Sequence, residues 1–114
     1  MQITRRSVGD VTVLDLDGKL TIGEGDIALR DALVAALGTG SRKLIVNLDK
    51  VRTIDSSGLG ELIRCKVTAA GEDAEIKLLH ANIKARKLLT MAQLVGVFEM
   101  FDDERLAVAS FAEA

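Results

Sequence analysis

The residues best equipped for chemistry lie in one run: Lys50-Val51-Arg52-Thr53-Ile54-Asp55-Ser56-Ser57-Gly58-Leu59-Gly60. A serine hydroxyl can serve as a nucleophile, as a helix cap or as an acceptor of a phosphoryl group. Nucleophilic use needs a base that a third group orients. The chain has one histidine, His80, which the pattern puts at the end of a strand without such partners. The Gly-x-Ser-x-Gly elbow is absent, since Asp55 precedes Ser56 and Ser56 precedes Ser57. The glycine-containing run Gly38 to Lys43 leads into a strand rather than a helix, so it lacks the setting of a phosphate-cradling loop. No catalytic residue is therefore expected, and an enzyme is the weakest reading. Cys65 is the sole cysteine. With no second ligand it supports neither a disulfide nor a metal site. No metal and no cofactor is expected.

The capping and phosphoryl-acceptor roles fit better. Ser57 stands where an N-cap is expected, able to accept from the free amides of the first helical turn. Ser56 is not needed for that task. A second hydroxyl exposed at a helix start is a phosphorylation candidate, because a phosphate there meets unpaired amides and the positive end of the helix dipole. Gly58 and Gly60 fall in that first turn, where glycine costs up to about 1 kcal/mol relative to alanine. Two readings account for them: close packing of helix on sheet, or close approach of a partner's backbone.

The elements that must position this run follow from periodicity. Gln2 to Val8 alternates weakly and precedes Gly9-Asp10, as an edge strand with a tight hairpin does. Val11 to Leu16 predicts a second strand that Gly18 ends. Leu29, Leu33, Ala36 and Leu37 lie on one helical face between Asp26 and Leu37, with Gly38 and Gly40 at the stop. Leu44-Ile45-Val46 is unbroken and apolar, as central strands are. A helix over Ser57 to Ala70 follows, with Leu59, Leu62, Ile63, Val67 and Ala70 expected inward and Gly71 closing it. Glu75 to Ala81 reads as a strand. Asn82 suits the cap of a helix to about Leu94, with Ala85, Leu88, Leu89 and Ala92 inward and Gly96 as its stop. Val97 to Phe101 predicts a last strand. Asp102-Asp103-Glu104 then opens a final helix docked by Ala107 and Phe111. The order is β-β-α-β-α-β-α-β-α. It predicts an α/β fold with a central mixed sheet of about four to five strands and about four helices.

Composition narrows function further. The 114 residues suit one domain over 1–114, 48% of them are apolar, and the net charge is -2. That charge, with no Trp or Tyr for base stacking, argues against nucleic acid. The one basic cluster, Lys84, Arg86 and Lys87, reads as the solvated face of a helix. The N-terminal residues lack the apolar core of a secretory signal, and no apolar run is long enough to span a bilayer. A soluble cytoplasmic protein without direct membrane insertion is expected.

The run IDSSGLGEL, preceded by LIVNLDKVRT, resembles the signature of bacterial anti-sigma factor antagonists, members of the STAS family. The likeness extends along nearly the whole chain, through Gly18-Lys19-Leu20, the KLLHAN-like strand and the closing acidic helix. It implies a STAS fold. It also implies partner switching: binding of an anti-sigma factor that is itself a serine kinase, and release of the sigma factor. Phosphorylation of Ser56 by that kinase, which holds the ATP, would end binding, and a serine phosphatase would restore it. The resemblance puts the partner surface at Thr21, Asp55, Ser56, Ser57, Gly58, Leu59 and Gly60. In Gly18-Lys19-Leu20-Thr21 this chain departs from the family pattern, with Lys19 and Thr21 in place of two acids. STAS domains also serve as subunits of stress-signalling scaffolds and of transporter complexes, a second reading of the same resemblance.

Overall fold

Alternation with a period of two sorts the strand residues onto two faces. Leu14 and Leu16, Leu44, Val46 and Leu48, and Ile76 and Leu78 share one buried cluster with three helices. Val11, Val13, Ile45 and Leu79 point the other way, into a smaller cluster. The computed structural model describes residues 1–93 and 96–112. In it run β1 (Gln2–Val8), β2 (Val11–Leu20), α1 (Gly25–Gly38), β3 (Lys43–Ile54), α2 (Ser56–Ala70), β4 (Glu75–Leu79), α3 (Ile83–Met91), β5 (Met100–Phe101) and α4 (Glu104–Ser110). The sheet order is β1-β2-β3-β4-β5. Only β1 is antiparallel to its neighbour, and the other pairings are parallel. The expected order, mixed sheet and edge hairpin are all present. Gly9, at φ +61, supplies the positive φ that tight hairpin turns require.

The strand ends differ from expectation. Gly18 does not stop β2, which continues to Leu20, and β3 extends to Ile54. The two keep pairing, Gly18 with Val51 and Leu20 with Ile54, through register shifts on either side of Asp17 and Gly18. Gly18 absorbs the irregularity at φ +133, a conformation open to glycine. The last strand is only Met100–Phe101, although Phe98 is buried in the main core. Asn82 caps α3, accepting from the Ala85 amide, but that helix ends at Met91 with Ala92 exposed. Leu94 lies outside the described residues. Gly96, expected as the stop, falls beyond the helix end.

Helix α4 covers the second sheet face through Ala107 and Phe111. Asp103 caps it, accepting from Arg105 and Leu106 amides. Two polar clasps hold it. Arg6 on β1 bridges Asp15 of β2 and Glu104 of α4. The buried Lys77 ammonium donates to Ser110 Oγ at 2.7 Å and lies 4.3 Å from the centre of the Phe111 ring. A buried ammonium is tolerated only when paired in this way.

The inner face of α2 is rotated from the expected one. Gly58, Leu59, Glu61, Leu62, Cys65 and Ala69 are buried, whereas Val67 is 67% exposed and Ala70 is exposed. The rotation follows from the contact of Gly58 with β2 described below. It predicts that Leu62→Ala costs about 2–5 kcal/mol. Val67→Ser should change stability by no more than about 0.5 kcal/mol. Urea unfolding of the two variants distinguishes this phase from the one expected from apolar spacing, under which Val67→Ser would be comparably costly.

Candidate functional site

The predicted run folds as the last residues of β3 and the first turn of α2, and Asp55 links them. It is the N-cap of α2, and its Oδ1 accepts from the Gly58 amide at 2.8 Å. Its Oδ2 accepts from the Ile22 amide at 3.1 Å. Its own amide donates to the Leu20 carbonyl at 3.3 Å. One aspartate thus fastens the start of α2 to the end of β2 and to the turn that follows. The Gly58 amide first, and the Ile22 amide second, hold its carboxyl below the ordinary value of 3.8.

The cap corrects the expectation for Ser57. Helix α2 begins at Ser56, one residue earlier than read, and Asp55 rather than Ser57 caps it. Ser57 sits half-buried in the first turn, while the Ser56 side chain is exposed at the first helical residue. Neither serine provides the cap.

The two glycines have different reasons. A Cβ on Gly58 would stand 2.0 Å from the Leu20 carbonyl oxygen, so this glycine is a packing residue. A Cβ on Gly60 would meet nothing within 4 Å beyond its chain neighbours and its own helix backbone, and the residue is half-exposed. Leu59 is 7% exposed and belongs to the main core. Of the residues that the resemblance groups as a partner surface, Thr21, Asp55, Ser56, Ser57 and Gly60 reach the surface. Gly58 and Leu59 face inward and support it.

Along α2, Ser56, Gly60, Ile63 and Val67 fall at i, i+4, i+7 and i+11, on one side of the helix; Ser56 and Val67 are exposed, whereas Gly60 and Ile63 are half-buried and Ile63 packs against the main core. Ile22, 71% exposed, stands in the turn tied to Asp55. Neither Ile22 nor the outward placement of Val67 was expected from the sequence. An apolar residue directly after Thr21, within a polar turn, was the available signal for Ile22. On the flank facing α1, Glu61 is buried at 2%, and its Oε1 accepts from Arg30 at 2.8 Å and from Arg64 at 3.2 Å. Cys65 Sγ lies 3.7 Å from Glu61 Oε2. Burial, then the Glu61 charge, pushes its thiol up to about 12, so it stays protonated and unreactive at neutral pH. His80 follows β4 with φ 55, and its amide donates to the Phe101 carbonyl. No helix among the described residues is long and apolar enough to cross a membrane.

The chain belongs to the STAS domain family, whose model, described as "Mlab, STAS domain", matches residues 3–102. Among individual proteins, a STAS-domain containing protein of Pseudomonas aeruginosa is 28% identical over 92 residues, covering 81% of this chain and 89% of that protein. A Thermotoga maritima structure described as an anti-sigma factor antagonist superposes with a TM-score of 0.86 at 22% identity, over 95% of this chain and 92% of that one. The Bacillus cell fate determinant SpoIIAA in its phosphorylated form gives 0.74 at 21% identity, over 96% and 99%. These likenesses establish the fold as the STAS fold.

Three substitutions test the geometry. Gly58→Ala should destabilise by about 1–3 kcal/mol or more through overpacking. Gly60→Ala should be neutral or stabilise by up to about 1 kcal/mol, and Ser57→Ala should stay within about 0.5 kcal/mol of the parent. Equal losses at the two glycines in urea titrations would refute the distinction. Asp55 adds a pH signature. Its folded pKa lies below its unfolded one, so its contribution is present above about pH 4 and is lost as pH falls through the folded value. Thermal melts should show Asp55→Asn several degrees less stable at neutral pH, with the gap closing in acid. A gap independent of pH would contradict the role given to the carboxylate.

Proposed function

We infer that this chain is an anti-sigma factor antagonist acting in the cytoplasm by partner switching. With Ser56 unmodified it binds an anti-sigma factor of the serine-kinase type, which releases its sigma factor. Phosphorylation of Ser56 ends that binding, and a serine phosphatase reverses the modification. The kinase brings the ATP, and this chain is ligand and substrate rather than enzyme. The contact surface comprises Thr21 and the exposed part of Asp55 to Gly60, with Gly58 and Leu59 as its rigid backing.

The observation that carries this reading is an exposed Ser56 hydroxyl at the first residue of α2, relieved of capping by Asp55. Family membership and the occurrence of SpoIIAA in a phosphorylated form support it. A phosphoserine carries about -1.5 to -2 charges at neutral pH. The helix dipole favours that charge, but Asp55 already occupies the Gly58 amide. The phosphate is therefore directed outward, where a docked partner would have to desolvate it. Burying an unpaired charge costs several kcal/mol, and each 1.4 kcal/mol is about tenfold in affinity.

Incubation with a candidate anti-sigma kinase from the same genome and ATP should add one phosphate, which peptide mapping places on Ser56. Titrations should then show at least about a hundredfold weaker binding of the phosphoprotein. Ser56→Asp should mimic release in part, and Ser56→Ala should bind constitutively. Gly60→Leu should keep its Tm and lose binding. Phosphate on Ser57, or equal affinity of the two forms, would overturn the reading.

A further inference from the structure

Helix α3 carries three cations, Lys84, Arg86 and Lys87, and no carboxylate. Arg86 is engaged internally: Nε donates to the Ala81 carbonyl and Nη2 to Asp102, each at 2.9 Å. Lys84 and Lys87 are exposed, and neither makes an ion pair among the described residues. Ile83 is 86% exposed and Met91 is 73% exposed, more than any other large apolar residue described. Ile83, Lys87 and Met91 stand at i, i+4 and i+8, one line about 12 Å long at 1.5 Å per residue. Lys84 lies beside it, three residues before Lys87. Ala85 and Leu89 are the buried side of the same helix. A helix kept only for solvation has no use for isoleucine and methionine at the two ends of its outer line.

We propose that the outer face of α3 is a docking site for an acidic, apolar segment of a partner protein. Carboxylates of that segment meet Lys84 and Lys87, and its apolar side chains cover Ile83 and Met91. Charge decides against a lipid surface as the occupant. Lipid-directed patches gather roughly four to eight basic residues, and this face offers two. The start of α3 lies at the end of the sheet from which α2 also begins, since Asn82 Nδ2 donates to the Val51 carbonyl of β3 at 3.1 Å. A partner seated over Ser56 is thus within reach of this second face, but the proposal holds whether or not Ser56 is a switch.

The test is selection of a displayed library of randomised helical peptides on the full chain, followed by amide-shift mapping of the winners. Enrichment of acidic, apolar sequences that perturb Ile83, Lys84, Lys87 and Met91 supports the site. So does at least tenfold weaker binding to the double variant Lys84→Glu with Lys87→Glu. Ile83→Ser, which leaves the charges in place, should weaken binding similarly. Neutral or basic winners, a footprint elsewhere, no enrichment, or indifference to the charge reversal would each overturn the proposal. Binding of the wild type to vesicles of phosphatidylglycerol and phosphatidylcholine through the same residues would overturn it in favour of a lipid surface. Repeating the titration with phosphoserine at position 56 separates the two readings: unchanged peptide affinity supports a site independent of the switch, and loss of peptide binding would overturn it.

Discussion

The end of β2 is gripped by two helices at once, and the rest of the molecule is arranged around that contact. A Cβ on Gly25, the first residue of α1, would stand 2.2 Å from the Lys19 carbonyl oxygen. One on Gly58 would stand 2.0 Å from that of Leu20. Both helices therefore seat directly on the β2 backbone, nearer than any side chain permits. Asp55 completes the contact by bonding the Gly58 and Ile22 amides while its own amide meets the Leu20 carbonyl. Buried backbone groups must be paired, and here one residue meets that demand for a strand end, a turn and a helix start together.

Division of labour follows from this grip. Because Asp55 caps α2, Ser56 is left with an exposed hydroxyl. Because Gly58 must face Leu20, the inner face of α2 is fixed at Gly58, Leu62, Cys65 and Ala69, and Val67 is turned to solvent. The same rotation buries Glu61, a cost that Arg30 and Arg64 offset from two helices. Removing one partner of a buried pair is strongly destabilising, so this pairing also sets the relation of α1 to α2.

Much of this was legible in the sequence. Alternation in the strands, the Gly9-Asp10 hairpin, the Asn82 cap and the docking role of Ala107 and Phe111 are local signals, and the structure retains each. What was not legible depends on distant partners. Gly18 reads as a strand stop, yet pairing with β3 carries β2 to Leu20. Of the expected inner stripe, Leu59 and Leu62 are buried and Ile63 packs against the core, but Val67 and Ala70 turn outward, because Gly58 touches Leu20, 38 positions earlier. Nothing near Glu61 signals burial, because its main partner Arg30 is 31 residues away. Ser57 looked like the cap because serine suits that position, but Asp55, two residues earlier, suits it too and also reaches Ile22.

The central claim is that a charge at Ser56 alters the surface without loosening the grip on β2. Amide hydrogen exchange tests it most directly, with phosphoserine installed at position 56 and compared with the unmodified chain. The account predicts unchanged protection in β2, β3 and the body of α2, with differences confined to Thr21, Ile22 and the first turn of α2. Loss of protection at Leu20, Gly58 and along β3 would contradict it, because the phosphate would then act by opening the fold.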